Sequence, residues 1–349
     1  MSNVSAHLKK PKILLVKLSS LGDVLHNLPI VWDLRARLPE AQIDWVVEEG
    51  YVHLLTPLLS KDGFKGIDRI IPFGLRRWKK NLLKLSTWQQ FFAFKKELQE
   101  ISYDVIIETQ GLLKSAIICS LASKTPKAVI AGLANATEFS GYEPIARSFY
   151  NQSVQVPFQC HAVDRSRWVA CSALDWALID RKVAPQFYPA SYVNSLGKTS
   201  VGLSELKTPY VLCFHSTARE AKRWPNADWV ALGRELANRG YQVVLPWGNL
   251  AEQAVSKEIA AQIPNALVPP AFSIQDAFSV IAGAALTIGV DTGLTHLAAV
   301  LGKPTVEIYC DSPRWKTEGY WSDKIRNVGD IQAPPSAQEV IQASLDLVS

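Results

Sequence analysis

Short apolar runs rich in Val and Ile alternate with longer segments of helical spacing along most of this chain. A run of about four to eight apolar residues is typical of a strand buried on both faces, and parallel strands need a connection of helix length between them. The alternation therefore predicts β-α-β units on parallel sheets. The predicted strands are residues 12–17, 43–47, 69–72, 105–108 and 128–131 in the first half, and 210–214, 242–245, 286–290 and 305–309 in the second.

Helical spacing fills several of the segments between these strands. Pro29 lies inside the first helical segment, where it predicts either a kink or a helix that begins late, because proline cannot donate the hydrogen bond of a helix interior. The predicted helices are residues 24–37, 88–101, 227–237, 252–263, 274–282 and 294–300.

The length of 349 residues exceeds what one hydrophobic core usually serves, so we expect two domains. Turn-forming residues are concentrated in the segment 186–208, which indicates a linker. We predict an α/β protein with two Rossmann-like, doubly wound domains, residues 1–185 and 209–349, that face a central cleft. The prediction leaves open whether the C-terminal helix packs back on the first domain. Ligands of such sheets bind at the carboxyl ends of the strands.

The composition, with 48% hydrophobic and 20% charged residues, is that of a globular protein. No apolar run reaches the roughly 18 residues of a membrane-spanning helix, and the N-terminus lacks the apolar core of a signal peptide, so we expect a cytoplasmic protein. The five cysteines are odd in number and form no C-x-x-C pair. We therefore expect reduced thiols in apolar segments.

Positive charge is concentrated in one segment of the first half. Residues 61–96 contain ten Lys and Arg against two acidic residues, and such an excess favours an anionic partner. The densest part is GLRRWKK, residues 74–80. Three interpretations of it stay open: a solvated helix face, a nucleic-acid contact, or contact with a phosphorylated acceptor at a membrane, to which Trp78 would contribute.

The stretch KLSSLGDVLHN, residues 17–27, follows the first predicted strand and carries a carboxylate, Asp23, at the start of a helix. The G-x-G-x-x-G spacing of a dinucleotide site is absent. Asp23 has two interpretations. It caps the helix, where free N–H groups and the helix dipole stabilise it, or it is a general base that the same N–H groups keep ionised.

Two strand ends of the second half suit a diphosphate. FHSTAREAKRWP, residues 214–225, offers hydroxyl and cationic donors, or is simply a solvated basic helix start. In GVDTGLTHLAA, residues 289–299, a helix begins where a strand ends, so that backbone N–H groups point toward a phosphate. Asp291 is a helix cap or a site residue, and His296 is a packed core histidine or a site residue.

Two further positions suit a nucleoside. Glu252 follows the stretch LPWG, residues 245–248, and either accepts hydrogen bonds from a ribose diol or only complements a helix dipole. Phe272 either stacks on a base or packs in a core. A metal site is not predicted, because the chain has no D-x-D pair and no two-histidine motif.

Taken in this order, the motifs resemble those of the lipopolysaccharide heptosyltransferases, and the resemblance runs over nearly the whole chain. WVVEEGY together with KLSSLGDVLH is more similar to the first-acting branch of that family, heptosyltransferase I, than to heptosyltransferase II. The most specific stretches are KLSSLGDVLHNLP (17–29), DWVVEEGY (44–51), RRWKK (76–80), TQGLLKSA (109–116), LPWG (245–248) and VDTGLTHLAA (290–299).

The resemblance implies a GT-B fold and an inverting single displacement without a metal or other cofactor. Heptose would pass from ADP-heptose to the first Kdo (keto-deoxy-octulosonate) of Kdo-lipid A, in the inner core of lipopolysaccharide of a Gram-negative bacterium. Asp23 matches the catalytic base of the family. The implied enzyme is cytoplasmic and peripheral on the inner face of the inner membrane. It binds no nucleic acid, and we favour a monomer.

The resemblance also assigns the donor to the second domain and the acceptor to the first. The donor-binding residues are Thr217, Lys222, Glu252, Phe272, Asp291, Thr292, Gly293, Leu294 and His296. The acceptor-binding residues are Ser19, Ser20, Gly22, Arg76, Lys79, Lys80, Gln110 and Lys114.

Two positions depart from the family pattern. Ala218 stands where related enzymes have a second threonine after Thr217, which removes one hydroxyl contact to the donor. Tyr142, in SGYEPIA, stands where an arginine is expected. Two alternatives to the main prediction stay open: a later-acting heptosyltransferase, and a non-catalytic module that binds nucleotide or RNA.

Overall fold

The computed structural model describes residues 10–61, 63–177, 183–184, 186–196 and 206–348. The chain divides into two compact units, Met1–Lys182 and Val183–Ser349. Residues 197–205 of the predicted linker lie outside the described residues, as do residues 1–9, on which the prediction of no signal peptide depends. Each unit contains one parallel sheet, which confirms the α/β prediction.

The first unit is built on a six-stranded sheet that is parallel throughout. Its strands are β1 (Lys12–Val16), β2 (Gln42–Glu48), β3 (Arg69–Phe73), β4 (Tyr103–Glu108), β5 (Lys124–Leu133) and β6 (Gln152–Val154). Its α-helices are α1 (Leu21–Asn27), α2 (Pro29–Arg37), α3 (Val52–Leu55), α4 (Leu75–Lys79), α5 (Leu85–Gln99), α6 (Leu113–Leu121) and α7 (Ala162–Ala173). The spatial order is β3-β2-β1-β4-β5-β6.

The predicted helix 24–37 is two helices. Pro29 is the first residue of α2, where its missing N–H costs nothing, so the prediction of a late helix start is confirmed. The break separates the short helix α1, which follows β1 directly, from the longer α2 that covers the sheet. Side chains of β1 are buried from Ile13 to Val16, as expected for a central parallel strand.

The second unit is built on a five-stranded parallel sheet. Its strands are β7 (Tyr210–Phe214), β8 (Gln242–Val244), β9 (Leu286–Val290), β10 (Thr305–Tyr309) and β11 (Ile325–Gly329). Its α-helices are α8 (Ala190–Leu196), α9 (Asn226–Asn238), α10 (Leu250–Ala260), α11 (Ile274–Gly283), α12 (Gly293–Val300), α13 (Arg314–Thr317) and α14 (Ala337–Val348). The spatial order is β11-β10-β9-β7-β8.

The first part of the predicted linker belongs to the second unit and packs on it. It contains α8, and the Phe187 ring packs on Trp321 with centroids 4.6 Å apart. The Tyr188 ring packs edge-on against Phe278 at 5.2 Å. The sequence pattern did not indicate this packing, because it depends on two aromatic side chains and not on a periodic arrangement of apolar residues. The C-terminal helix α14 packs in the core of its own unit.

Each sheet has one point where the strand order reverses direction. In the first unit this topological switch point lies between β1 and β4, and in the second between β7 and β9. Loops on either side of a switch point separate and leave room for a ligand at the carboxyl ends of the strands. Four loops are therefore the place to look for chemistry: those after β1, β4, β7 and β9.

All five cysteines are buried thiols, as predicted. In the part of the chain that the structure describes, none of the helices has both the length and the apolar character needed to cross a bilayer.

Candidate functional site

The loop after β1 places Asp23 in the first turn of α1. Ser20 precedes the helix, and its backbone N–H and its hydroxyl both donate to Oδ2 of Asp23, at 3.0 and 2.9 Å. This is a capping box. The other oxygen, Oδ1, lies 3.7 Å from Nζ of Lys17, and 43% of the Asp23 side chain is exposed. Capping therefore orients the carboxylate without hiding it from a substrate.

Two buried cations hold Asp23 ionised. The Lys17 side chain is 3% exposed, and the Arg165 guanidinium, from α7, donates to the carbonyl groups of residues 109–110. Burial opposes the charge on Asp23, but the Lys17 ammonium and the Ser20 N–H outweigh it and hold the pKa of Asp23 well below its usual range. Burial lowers the pKa of Lys17 to about 8, against the attraction of Asp23. Asp23 is therefore a carboxylate at neutral pH.

The loop after β4 holds the loop after β1 in place. Oε1 of Gln110 accepts hydrogen bonds from the N–H groups of Leu18 and Ser19, at 3.2 and 3.3 Å. The buried Glu108 carboxylate in turn accepts from the N–H groups of Gln110 and Gly111, at 2.7 and 3.0 Å. Gln110, predicted to bind the acceptor, is thus the residue that fixes the backbone leading to Asp23.

Glu48, at the end of β2, joins three of the predicted acceptor residues. Its side chain is buried, and its carboxylate oxygens lie 2.7 Å from Nε of Arg76 and 3.1 Å from Nζ of Lys114. Lys114 also donates to Oγ of Ser19 at 3.2 Å. The structure therefore brings Ser19, Arg76 and Lys114 together around one internal counter-ion.

Lys79 and Lys80 are not part of this group. They are exposed at the end of α4, and neither forms an ion pair with any residue in the described ranges. Trp78, between these cations and Arg77 in the chain, is only 6% exposed, and its ring packs against Phe73 and Phe94. The predicted contribution of Trp78 to a membrane contact is therefore wrong, because α4 turns the indole into the core.

Other predicted acceptor positions serve the local backbone. Ser20 caps α1, and Gly22 lies in the first turn of that helix, partly exposed. Tyr142, which stands where we expected an arginine, donates its hydroxyl to the carbonyl of Ala134 at 2.9 Å. Tyr142 thus has a structural partner and brings no positive charge to the loop.

Asp291, directly after β9, is the centre of a charged network in the second unit. Its Oδ2 accepts from Nζ of Lys222 at 2.5 Å, and its Oδ1 accepts from the Thr317 hydroxyl at 3.3 Å. Nε2 of His296 lies 3.0 Å from Oδ1, and Nδ1 of the same ring lies 2.9 Å from Oε1 of Glu307 on β10. Three predicted donor residues are therefore in direct contact.

His296 and Asp291 are both charged at neutral pH. Burial opposes the charge on His296, but Glu307 and Asp291 outweigh it and raise the pKa of His296 to about 10. Both ring nitrogens are therefore protonated, and each donates to a carboxylate. Burial likewise opposes the charge on Asp291, yet His296 and Lys222 hold the pKa of Asp291 well below its usual range. His296 is buried and fully bonded, and it positions Asp291.

The start of α12 lies beside this network. Thr292 precedes the helix, Gly293 and Leu294 begin it, and all three are partly exposed. Thr217 is also partly exposed, in the loop after β7 that carries Lys222. Because β7 and β9 are neighbours, these loops leave the sheet at its switch point. An ammonium next to free helix N–H groups is suited to a diphosphate.

Glu252, in the first turn of α10, and Phe272, in the loop before α11, belong to segments that a hydrogen bond connects. Both carboxylate oxygens of Glu252 accept hydrogen bonds from residues 248–249 of its own helix start, each at 2.7 Å. Nε1 of Trp247 donates to the carbonyl of Pro269 at 2.8 Å and ties this loop to the segment of Phe272, which is partly exposed. Glu252 is therefore a helix-capping residue in the protein without ligand.

Five charged residues of these sites had no role assigned from the sequence: Lys17, Glu48, Glu108, Arg165 and Glu307. All five are buried. Lys17, Glu48 and Glu108 stand at or next to strand ends, and that position is the signal that could have identified them. Arg165 and Glu307 lie inside a helix and a strand. Their signal is a charge at a position where the period of the element calls for an apolar side chain.

Within residues 10–61, 63–177, 183–184, 186–196 and 206–348, no three His, Cys, Asp or Glu side chains are arranged to hold a metal ion. The His296 ring is instead engaged on both sides by carboxylates of its own network.

Replacing His296 with Gln is expected to change the pH dependence of stability. The folded pKa of about 10 lies above the ordinary value of 6.5, so His296 stabilises the fold fully below pH 6.5 and loses that effect as the pH rises toward 10. Thermal unfolding of both proteins from pH 6 to 10 should show a gap that narrows with rising pH. A gap that stays constant would contradict the charged network.

Replacing Lys17 with Met is expected to preserve or raise stability at pH 7, by about 1–3 kcal/mol at most. The folded pKa of about 8 lies below the ordinary 10.5, so the buried ammonium destabilises the fold below pH 8, and this penalty disappears between pH 8 and 10.5. Urea unfolding at pH 7 and pH 10 measures this. A variant much less stable at pH 7 would make Lys17 a structural residue.

The chain is similar to proteins of one family. The family model described as glycosyltransferase family 9 (heptosyltransferase) matches residues 91–348. The chain is 36% identical over 325 residues to lipopolysaccharide heptosyltransferase 1 of Pseudomonas aeruginosa, covering 93% of this chain and 85% of that one. It is 32% identical over 314 residues to lipopolysaccharide heptosyltransferase 1 of Escherichia coli K12, covering 90% and 92%.

Solved structures give the same result. The E. coli heptosyltransferase WaaC with ADP superposes with a TM-score of 0.78 at 30% identity, covering 96% of this chain and 99% of that one. The same enzyme with ADP-2-deoxy-2-fluoro heptose gives a TM-score of 0.71 at 30% identity, covering 97% of both chains.

Proposed function

The chain belongs to glycosyltransferase family 9, the heptosyltransferases, and we propose that it transfers L-glycero-D-manno-heptose from ADP-heptose to the first Kdo of Kdo-lipid A. Its fold is GT-B, and it is an enzyme, as predicted, rather than a non-catalytic nucleotide- or RNA-binding module. The observation that carries the proposed chemistry is the ionised, half-exposed carboxylate of Asp23 at the switch point of the first unit.

In the proposed reaction, Asp23 accepts the proton of the acceptor hydroxyl as that oxygen attacks the anomeric carbon of the heptose. The new C–O bond forms as the bond to the ADP oxygen breaks, with inversion at the anomeric carbon. A carboxylate with so low a pKa is a weak base, so its value lies in placement: Ser20 orients it through two hydrogen bonds. Lys17 and Arg165 keep it ionised.

The second unit would stabilise the leaving group. Negative charge grows on the diphosphate as the glycosidic bond breaks, and donors aimed at it lower the barrier. Lys222 would supply a compensating positive charge and the N–H groups at the start of α12 would supply hydrogen-bond donors, while Asp291 and His296 hold Lys222 in place. Thr217 and Leu294 would contact the diphosphate, and Glu252 would exchange a capping bond for a ribose hydroxyl. We propose that no metal or cofactor takes part.

The acceptor would bind in the first unit. Kdo carries a carboxylate and lipid A carries phosphates, and Arg76 and Lys114 are already paired with a carboxylate in the protein without ligand. An acceptor carboxylate can take the place of Glu48 on these cations. We propose that the enzyme works at the cytoplasmic face of the inner membrane, where such an acceptor is anchored.

An ADP-release assay with ADP-heptose and heptose-free Kdo-lipid A tests the proposal directly. We expect turnover with this acceptor. A strict requirement for an acceptor that already carries a heptose would assign the chain to a later step, that of a heptosyltransferase II-like enzyme. No ADP release with either acceptor would reject both assignments.

A further inference from the structure

Five large apolar side chains are exposed together in the first unit, at the turn between α4 and α5. We call them the apolar ridge: Leu82 (56% exposed), Leu83 (103%), Leu85 (73%), Trp88 (50%) and Phe92 (59%). Single exposed apolar residues are common on soluble proteins, but a cluster of this size is characteristic of a contact surface.

The ridge is a defined face of α5. Positions 85, 88 and 92 recur at helical spacing and lie along one side of the helix. The opposite side, with Phe94 and Leu98, is buried in the core of the first unit. The helix thus has two apolar faces, of which only one is used by the fold.

The turn that precedes α5 is fixed in its exposed position. Nε1 of Trp88 donates to the carbonyl of Leu82 at 3.0 Å, and the Thr87 hydroxyl donates to the carbonyl of Asn81 at 2.7 Å. These hydrogen bonds fix the backbone of the turn. The exposed positions of Leu82 and Leu83 therefore follow from the local structure.

Cations surround the ridge without acidic residues between them. Residues 74–96 contain seven Lys and Arg and no Asp or Glu. Arg76 and Arg77 pair with carboxylates from elsewhere in the unit. Lys79, Lys80 and Lys84 are exposed, and no ion pair joins them to the residues that the structure describes. Their charge is therefore available to a partner.

We propose that the apolar ridge and its lysines dock the enzyme on an anionic lipid bilayer. Leucine, tryptophan and phenylalanine side chains suit the boundary between headgroups and acyl chains, and lysines beside them attract anionic headgroups. Free phosphate would satisfy the lysines but not the ridge, so a bilayer accounts for both. The proposal refines the proposed function, on which its biological purpose rests, by naming the surface that meets the membrane.

Vesicle co-sedimentation tests the proposal independently of catalysis. The full chain is mixed with vesicles of phosphatidylcholine alone or with about a third of phosphatidylglycerol. We expect binding to the anionic vesicles that weakens with salt, and a loss of about tenfold or more in the partition coefficient of the double variant Leu83→Ser/Phe92→Ser, since binding scales with apolar area. Lys84→Glu should weaken only the anionic-vesicle binding.

The matched control is Ile145→Ser/Phe158→Ser, which removes two apolar residues outside the ridge that are 59% and 61% exposed. It should bind vesicles like the unchanged chain, and circular dichroism should show all variants folded.

Equal binding by the ridge variant, or no binding by the unchanged chain, would overturn the proposal. A ridge variant that turns a dimer into a monomer in light scattering, without affecting vesicle binding, would assign the ridge to a second copy. ADP release with detergent-dispersed acceptor should be unchanged by Leu83→Ser/Phe92→Ser, so failure of the proposed function appears separately.

Discussion

Replacing Asp23 with Asn is expected to lower the rate of heptosyl transfer about 100- to 10,000-fold, the usual contribution of a positioned general base. Asn has the shape of Asp and can still accept the Ser20 hydrogen bonds that form the capping box. It cannot take the proton of the acceptor hydroxyl. The loss should therefore appear in kcat, measured by ADP release at saturating ADP-heptose and acceptor, while the Kd for ADP stays within a factor of about two.

Asp104→Asn is the control for this substitution. Asp104 lies in the same unit, accepts a hydrogen bond from the Lys12 N–H at 2.9 Å and contacts none of the loops at the switch point. It should leave kcat unchanged. Activity of the Asp23 variant near that of the unchanged chain would reduce Asp23 to a helix cap and require another base.

Replacing Lys222 with Met is expected to lower kcat about 100- to 1,000-fold, the usual effect of removing one donor from a developing anion. Met keeps the length of the side chain but cannot neutralise the diphosphate. In the proposed site the ammonium would also contact the diphosphate before the reaction, so ADP affinity should fall as well, by a smaller factor. Calorimetric titration with ADP and the ADP-release assay together separate the two effects. Lys222→Arg should recover part of the rate.

The control for Lys222 is Arg239→Met, which removes an exposed positive charge of the same unit. Arg239 follows the last residue of α9 and pairs with Glu235, four residues earlier. The substitution should change neither ADP affinity nor kcat. A Lys222 variant that loses ADP affinity but keeps its kcat would mean that the ammonium binds the ground state and the transition state equally, and the proposed leaving-group role would be wrong.

The strands were the most predictable part of the fold. Parallel strands covered on both faces consist of nearly continuous apolar residues, and every predicted strand overlaps one in the structure. The edge strands β6 and β11 were missed. β6 is three residues long, and β11 reads IRNVG, so neither carries the apolar run of a central strand. The segment around Phe187 was also misjudged, since its anchoring depends on contacts distant in sequence.

The site was predictable where function depends on a short motif. The pattern of strand ends identifies the stretches of chain that contain Asp23, Lys222, Asp291 and His296, and the last three are in contact. Their supporting charges were not predictable in the same way. Glu48, Arg76 and Lys114 come from three different segments of the chain. The order of the strands brings these segments together, and the local sequence does not indicate it.

The carboxylate of Glu48 has a consequence for selectivity. Arg76 and Lys114 share one carboxylate of the protein itself, so an anion that takes the place of this carboxylate must compete with a tethered, buried group. Chloride or a single free phosphate meets this competitor without a second point of attachment. An acceptor with several anionic groups on one molecule displaces Glu48 with the help of its other contacts. Under the proposed function, the built-in carboxylate would therefore favour an acceptor with several anionic groups over a small ion at Arg76 and Lys114.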